Sequence, residues 1–128
     1  MSDVPPRPTD AELEILTVLW SRGPSTVRDI HQTIAARRPA QYTTVLKLMQ
    51  IMTDKGLVRR DESARTHVYK ATASEDQTKR QLVADLLDKV FEGSSAKLVL
   101  QALSTRAASP EEIDEIKKLL DTYRGGRR

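Results

Sequence analysis

The apolar period of this chain changes once, abruptly, across Gly56. Upstream, apolar residues recur every three or four positions, the spacing of a single helix face. Downstream, Leu57-Val58-Arg59-Arg60 and His67-Val68-Tyr69-Lys70-Ala71 read as two short strands. The polar turn Asp61-Glu62-Ser63-Ala64-Arg65-Thr66 joins them into a hairpin with a charged tip. Three helical segments precede the switch. Thr9-Asp10-Ala11-Glu12 is a capping box, and Leu13, Leu16, Leu19 and Trp20 follow at helical spacing, which predicts a helix over about 10–21 that Gly23-Pro24 stops. Ser25 or Thr26 caps a second segment with the stripe Val27, Ile30 and Ile34, and Pro39 closes it after Arg37-Arg38. The link Pro39-Ala40-Gln41 leads to a third helix over about 42–55, with Gly56 at the position a helix-ending glycine takes. Three helices followed by a basic hairpin is the order of a winged helix.

A second group of helices follows. Ser74-Glu75-Asp76-Gln77 is another capping box, opening a helix over about 75–92 with Leu82, Val83, Leu86, Leu87, Val90 and Phe91 on a wide apolar face. Gly93 ends it, and Ser94 or Ser95 opens a short helix with Leu98, Val99, Leu100, Ala102 and Leu103. Ser109-Pro110-Glu111-Glu112 starts a last helix, proline at its first position, with Ile113, Ile116, Leu119, Leu120 and Tyr123. The glycines of Gly125-Gly126-Arg127-Arg128 predict a frayed tail. The fold class is therefore mainly α with a small β-hairpin: a winged helix-turn-helix domain over 1–73 and a three-helix domain over 74–128. Three short helices make a poor independent core. The expected remedy is a homodimer in which Leu82, Leu86, Val90, Leu98, Leu103, Ile113, Ile116 and Leu120 meet their copies across a two-fold axis. The alternative is that these helices fold back on their own chain.

Composition narrows the function classes. At 128 residues, 38% apolar and 30% charged, the chain is a globular protein of one domain or a domain with an appendage. With one Trp, three Tyr and one Phe, its cores must be mostly aliphatic. There is no cysteine, which excludes disulfides, thiolate zinc sites and thiol switches. No apolar run reaches membrane-spanning length, and residues 1–9 lack the apolar segment of a signal peptide, so a cytoplasmic location without membrane contact is expected. The net charge is only +3, but it is unevenly placed. Residues 1–73 carry eleven Lys/Arg against eight Asp/Glu, whereas 74–128 carry ten against ten. The basic surplus thus belongs to the winged-helix half, a footprint suited to a polyanion.

The third helical segment supplies the chemistry. Val45, Leu48, Met49 and Met52 share one face and are expected to pack on the two preceding helices. The opposite face presents Thr43, Lys47, Gln50 and Asp54, with Thr44 on one flank. A helix that reads a DNA groove needs this division: one stripe for anchorage, the other offering short polar groups. Threonine has a hydroxyl for base edges and a methyl for the thymine methyl, Gln41 and Gln50 suit adenine, and Lys47 suits guanine or phosphate. Tyr42 offers its hydroxyl to a phosphate or packs. In the hairpin, Arg65 is the candidate tip contact, and Arg59, Arg60 and Lys70 are candidates to neutralise phosphates. Arg37 and Arg38 either hold phosphate or complement the helix dipole.

No catalytic constellation accompanies these residues. His31 and His67 lack metal-ligand spacing, Ser94-Ser95 has no base at motif spacing, and there is no phosphate loop or dinucleotide fingerprint. No metal, cofactor or enzymatic activity is expected. A protein–protein adaptor on a winged-helix scaffold is the competing function, separable by whether the chain gives a salt-sensitive, sequence-selective shift of DNA.

A family resemblance covers nearly the whole chain. Thr9-Asp10-Ala11-Glu12-Leu13-Glu14-Ile15-Leu16, then Leu19-Trp20, resembles the start of the penicillinase repressor family (the BlaI/MecI/CopY group). Tyr42-Thr43-Thr44-Val45 through Leu48, then Lys55-Gly56-Leu57-Val58, is similar to its recognition helix and exit; His67-Val68-Tyr69 resembles its wing strand. Phe91-Glu92-Gly93-Ser94 with Leu98-Val99 resembles the middle of its dimerisation domain. The resemblance implies a dimeric winged-helix repressor of antibiotic-resistance or metal-stress genes, with Thr43, Thr44 and Lys47 at or near the operator bases. In the family's β-lactam branch, a membrane sensor protease triggers repressor cleavage at an Asn-Phe bond. By position that bond falls at Gln101-Ala102, and neither residue matches. The copper branch carries a C-terminal Cys-x-Cys site, which this cysteine-free chain lacks.

Overall fold

The computed structural model describes residues 7–126. The order of elements is α1 (Asp10–Arg22), α2 (Val27–Ala35), α3 (Tyr42–Lys55), β1 (Val58–Asp61), β2 (Val68–Ala71), α4 (Glu75–Val90), α5 (Ser95–Thr105) and α6 (Pro110–Gly126). The chain is thus mainly helical with one two-stranded antiparallel hairpin, a winged-helix arrangement over its first half. It divides into two compact units, Met1–Val83 and Ala84–Arg128, and the division falls inside α4. The proline-rich start, residues 1–6, lies outside the described residues.

Local chemistry sets each boundary in the first unit. The Thr9 hydroxyl accepts from the Glu12 amide at 3.2 Å, and Glu12 Oε1 accepts from the Thr9 amide at 2.9 Å, closing the capping box of α1. Thr26, not Ser25, caps α2: its hydroxyl accepts from the Asp29 amide at 3.1 Å and Asp29 returns the bond at 3.2 Å. Gly56 ends α3 in the left-handed region, φ +83°, a conformation open to glycine without steric cost. Ser25 has a different task. It is buried and forms an antiparallel bridge with Tyr69, with N–H···O bonds of 3.0 and 2.8 Å, which adds a third edge to the hairpin.

The core of this unit is aliphatic and sulfur-rich. Ile15, Leu16, Val18 and Leu19 of α1 meet Val27, Ile30 and Ile34 of α2, Val45, Met49 and Met52 of α3, and Leu57, Val58 and Tyr69 of the hairpin. Two details differ from the sequence expectation. The α1 stripe is centred on Ile15 and Val18 as well as Leu16 and Leu19, leaving Leu13 and Trp20 half-buried, because α2 and α3 together cover a face wider than one stripe. Leu48 is likewise half-buried at the edge of that face. Trp20 is nonetheless fixed, its indole Nε1 donating to the Ala73 carbonyl at 3.1 Å.

The later helices also keep their caps. Ser74 and Gln77 exchange bonds of 3.1 and 2.9 Å, Ser94 Oγ accepts from the Lys97 amide at 3.1 Å, and Ser109 Oγ accepts from the Glu112 amide at 3.1 Å. Helix α4 stops at Val90, two residues earlier than its apolar pattern suggests, because Glu92 (φ +54°) and Gly93 (φ +76°) turn the chain and the Gly93 amide donates back to the Leu87 carbonyl at 2.8 Å. Helix α6 runs to Gly126, so the first two residues of the expected tail belong to it. Once a helix is nucleated, each added glycine costs only about 1 kcal/mol relative to alanine. Arg127 and Arg128 lie outside the described residues. No described helix is long and apolar enough to cross a membrane.

Candidate nucleic-acid interface

Helix α3 divides as its sequence predicts. Val45, Met49 and Met52 are buried, while Thr43, Lys47, Gln50 and Asp54 form an exposed stripe on the far side. Thr44 is also exposed, and Ile51 on the flank is 38% exposed. Gln41 is the N-cap but makes no side-chain capping bond, so no side chain covers the first-turn amides of α3. Those amides, together with the helix dipole, favour an anion. Tyr42, 45% exposed, packs in part. Its ring stands edge-on to His31 at a centroid distance of 5.7 Å, and its hydroxyl side remains open. His31 is held in turn by a 2.9 Å contact between Nε2 and the Ala40 carbonyl; since a carbonyl only accepts, Nε2 carries the proton.

The basic residues separate into committed and available. Arg38 is committed: its Nε lies 3.1–3.2 Å from both Glu14 oxygens, and Nη1 donates to the Pro39 carbonyl at 3.1 Å. This fork holds the Glu14 carboxyl below its ordinary 4.5. Arg60 is also engaged, by the Tyr69 hydroxyl and by Glu62, 2.6 Å from its Nε. By contrast, Lys47, Arg59 and Arg65 are exposed and form no ion pair among the described residues. Arg65 sits in the turn between the strands, where Asp61 shapes the backbone by accepting from the Ser63 amide at 2.9 Å. Arg59 stands directly opposite Lys70 in the ladder. Like charges facing each other across a hairpin are unfavourable unless something negative lies between them.

Two ion pairs were not evident in sequence. Glu12, 2% exposed, accepts from Lys55 Nζ at 2.9 Å on each oxygen, joining the start of α1 to the end of α3. Burial pushes the Glu12 carboxyl up, but the Thr9 amide and the Lys55 ammonium outweigh it and hold it below 4.5. Glu14, two residues on, binds Arg38 ahead of α3. Neither pairing has a local sequence signature, since the partners are 43 and 24 residues apart.

The second unit presents a different surface. Leu86, Val90, Leu103 and Leu120 are exposed in the single chain, at 43, 61, 37 and 59%. Leu82, Leu98, Ile113 and Ile116, the other residues expected at a subunit contact, are half-buried. Gln101 and Ala102 are exposed on α5. Among the described residues, no group of three or more His, Cys, Asp or Glu is placed to hold a metal ion.

Comparison with known proteins adds a lineage to this geometry. The family model described as "Penicillinase repressor" matches residues 8–122. The transcriptional regulator BlaI of Mycobacterium tuberculosis is 30% identical over 118 residues, spanning 91% of this chain and 85% of its own length. The methicillin resistance regulatory protein MecI of Staphylococcus aureus is 22% identical over 113 residues, 88% of this chain and 92% of its own. Among solved structures, the fold is shared with RosR of H. salinarum (TM-score 0.52, 18% identity, 90% of this chain and 92% of that one). The RosR–S4 complex gives a TM-score of 0.54 at 18% identity, covering 90% of this chain and 88% of that one.

Proposed function

This chain belongs to the penicillinase repressor family, and on that premise we propose that it is a homodimeric repressor reading a roughly palindromic operator. The observation that carries the reading is the division of α3: Val45, Met49 and Met52 buried, Thr43, Lys47 and Gln50 offered outward, with no carboxylate among the described residues paired to Lys47. In this reading α3 enters the major groove. Thr43, Thr44, Lys47 and Gln50 meet base edges, while Gln41, Tyr42 and the uncapped first turn of α3 sit against the backbone. Arg59 and Arg65 of the hairpin contact phosphates, and Arg60 joins them by exchanging Glu62 for a phosphate oxygen. The apolar faces of α4–α6 pair with a second copy through Leu82, Leu86, Val90, Leu98, Leu103, Ile113, Ile116 and Leu120. Reading two half-sites of such an operator requires the two recognition helices about 34 Å apart, one turn of duplex. Repression follows from occupying a promoter, which puts the protein in the cytoplasm with the DNA and requires no enzymatic activity.

The test is a mobility shift with duplexes from the chain's own upstream region, against scrambled duplex at several salt concentrations. The expected result is a sequence-selective complex that weakens steeply with salt. An adaptor would give no selective, salt-sensitive shift, and that outcome would overturn the proposal.

A further inference from the structure

The seat of α3 is soft. Its three buried side chains are Val45, Met49 and Met52, with Leu46 and Leu48 packed at the edge of the core, and the two methionines at the centre fill space without imposing a geometry. Base contacts need side chains placed to within a fraction of an ångström. The Glu12–Lys55 pair supplies what methionine packing does not. Lys55, the last residue of α3, donates to both oxygens of a carboxylate that is 2% exposed and itself immobilised by the Thr9 amide. We propose that Glu12 and Lys55 are positioning residues for DNA reading, locking α3 to α1 in the register that aims Thr43, Lys47 and Gln50 at the bases. The inference rests on the operator-reading role proposed above.

The physical case is that ion pairs taken out of water are poor stabilisers, and this one is half withdrawn: the Glu12 side chain is 2% exposed and the Lys55 side chain 33%. Apolar replacements often match or exceed them, and their best-attested use is to fix register. Both bonds come from one Nζ, so the pair is a tether that adds a fixed partner for the end of α3 to the close-packed apolar contacts along it. Glu14 and Arg38 hold the chain just ahead of α3 in the same way. Helix α1 therefore holds the chain ahead of the recognition helix and the last residue of that helix.

The test uses the full chain and duplexes selected from a random-sequence pool by the wild-type protein. Glu12→Gln is the informative variant, because its amide oxygen still caps Thr9 while the charge is removed. Its affinity for scrambled duplex should stay within about twofold of wild type, while its preference for the selected duplex falls by about tenfold or more, the scale of a good base contact. Lys55→Arg keeps the charge and can bond both Glu12 oxygens, and should retain the preference. Ile30→Val, a comparable core loss away from the pair, should leave the preference intact. Should Glu12→Gln lack a cooperative unfolding transition, Lys55→Gln, which leaves the Thr9–Glu12 bond in place, decides by the same two affinities. The inference is overturned if the folded variant keeps its preference, or if Ile30→Val loses as much. If the wild-type chain selects no sequence at all, the operator-reading role falls and this inference with it.

Discussion

The two halves of the molecule spend similar apolar sequence in opposite ways. In the first, residues from Ile15 to Tyr69 enclose thirteen buried apolar side chains within one chain. In the second, α4 and α5 contain no buried residue, and Val90, Leu100, Leu119, Leu120 and Tyr123 are each more than half exposed. Both halves have regular helices with well-made caps, so the difference does not lie in helix formation. It lies in closure. Three helices plus a hairpin surround a core; the later helices leave large apolar side chains exposed. Exposed apolar surface on this scale marks an interaction site, and a second copy of the same chain is the partner that symmetry supplies most simply.

That contrast can be broken most forcefully at the open face. Leu86→Glu would bury an uncompensated charge in the proposed dimer, at a cost of about 3–5 kcal/mol. Sedimentation should show the mass halved at micromolar concentration, with the first half still folded. A chain that was already a monomer, or a variant that stays dimeric, would sink the two-fold arrangement. The closed half should respond differently. Met49→Ala opens a cavity in the first unit and should cost about 2–5 kcal/mol in thermal or denaturant unfolding, with the mass unchanged in the folded protein. If it dissociates the dimer instead, the halves are less independent than their cores suggest.

Smaller effects sharpen the same division. Thr43→Ala or Lys47→Ala should weaken binding to the selected duplex by about 1–3 kcal/mol, leaving unfolding and subunit mass as in wild type. Acid should act on the closed half. The carboxyls of Glu12, Glu14 and Asp29 all titrate below their ordinary values of 4.5, 4.5 and 3.8 in the folded chain. Depressed carboxylates stabilise above their unfolded pKa, and that contribution disappears as pH falls through the lower folded values. Unfolding followed from pH 6 to pH 2 should show stability declining below about pH 4–5, and Glu12→Gln should shrink the decline. The smallest effect is Arg65→Ala, which should weaken all duplexes alike and lower the salt slope by about one.

Much of this was readable before any coordinates. The caps at Thr9, Ser74, Ser94 and Ser109, the proline at 110 and the glycine at 56 set helix ends because each acts through its near neighbours. The inward and outward stripes of α3 follow from its period. What escaped was non-local. Ser25 bridges Tyr69 as a single residue, too short to show alternation. Glu12 has a local role as a capping residue that hides its distant partner Lys55. In sequence Arg38 is a candidate for a phosphate or the helix dipole and Arg60 for a phosphate, whereas Glu14 lies against the first and Tyr69 and Glu62 against the second. A sequence displays charge but not which charges face each other, so a count of basic residues overstates how many are available to a polyanion.

The opposed cations of the hairpin have a thermodynamic corollary. Arg59 faces Lys70 in the ladder, and the Asp61 carboxylate, which also draws on Lys70, offsets only part of the repulsion between them in the empty wing. A backbone oxygen of DNA seated between the two turns mutual repulsion into joint attraction. Coupling of this kind runs both ways: whatever the wing contributes to holding the duplex, the duplex returns as rigidity, and amide protons of β1 and β2 should exchange more slowly in the complex than in the unbound chain.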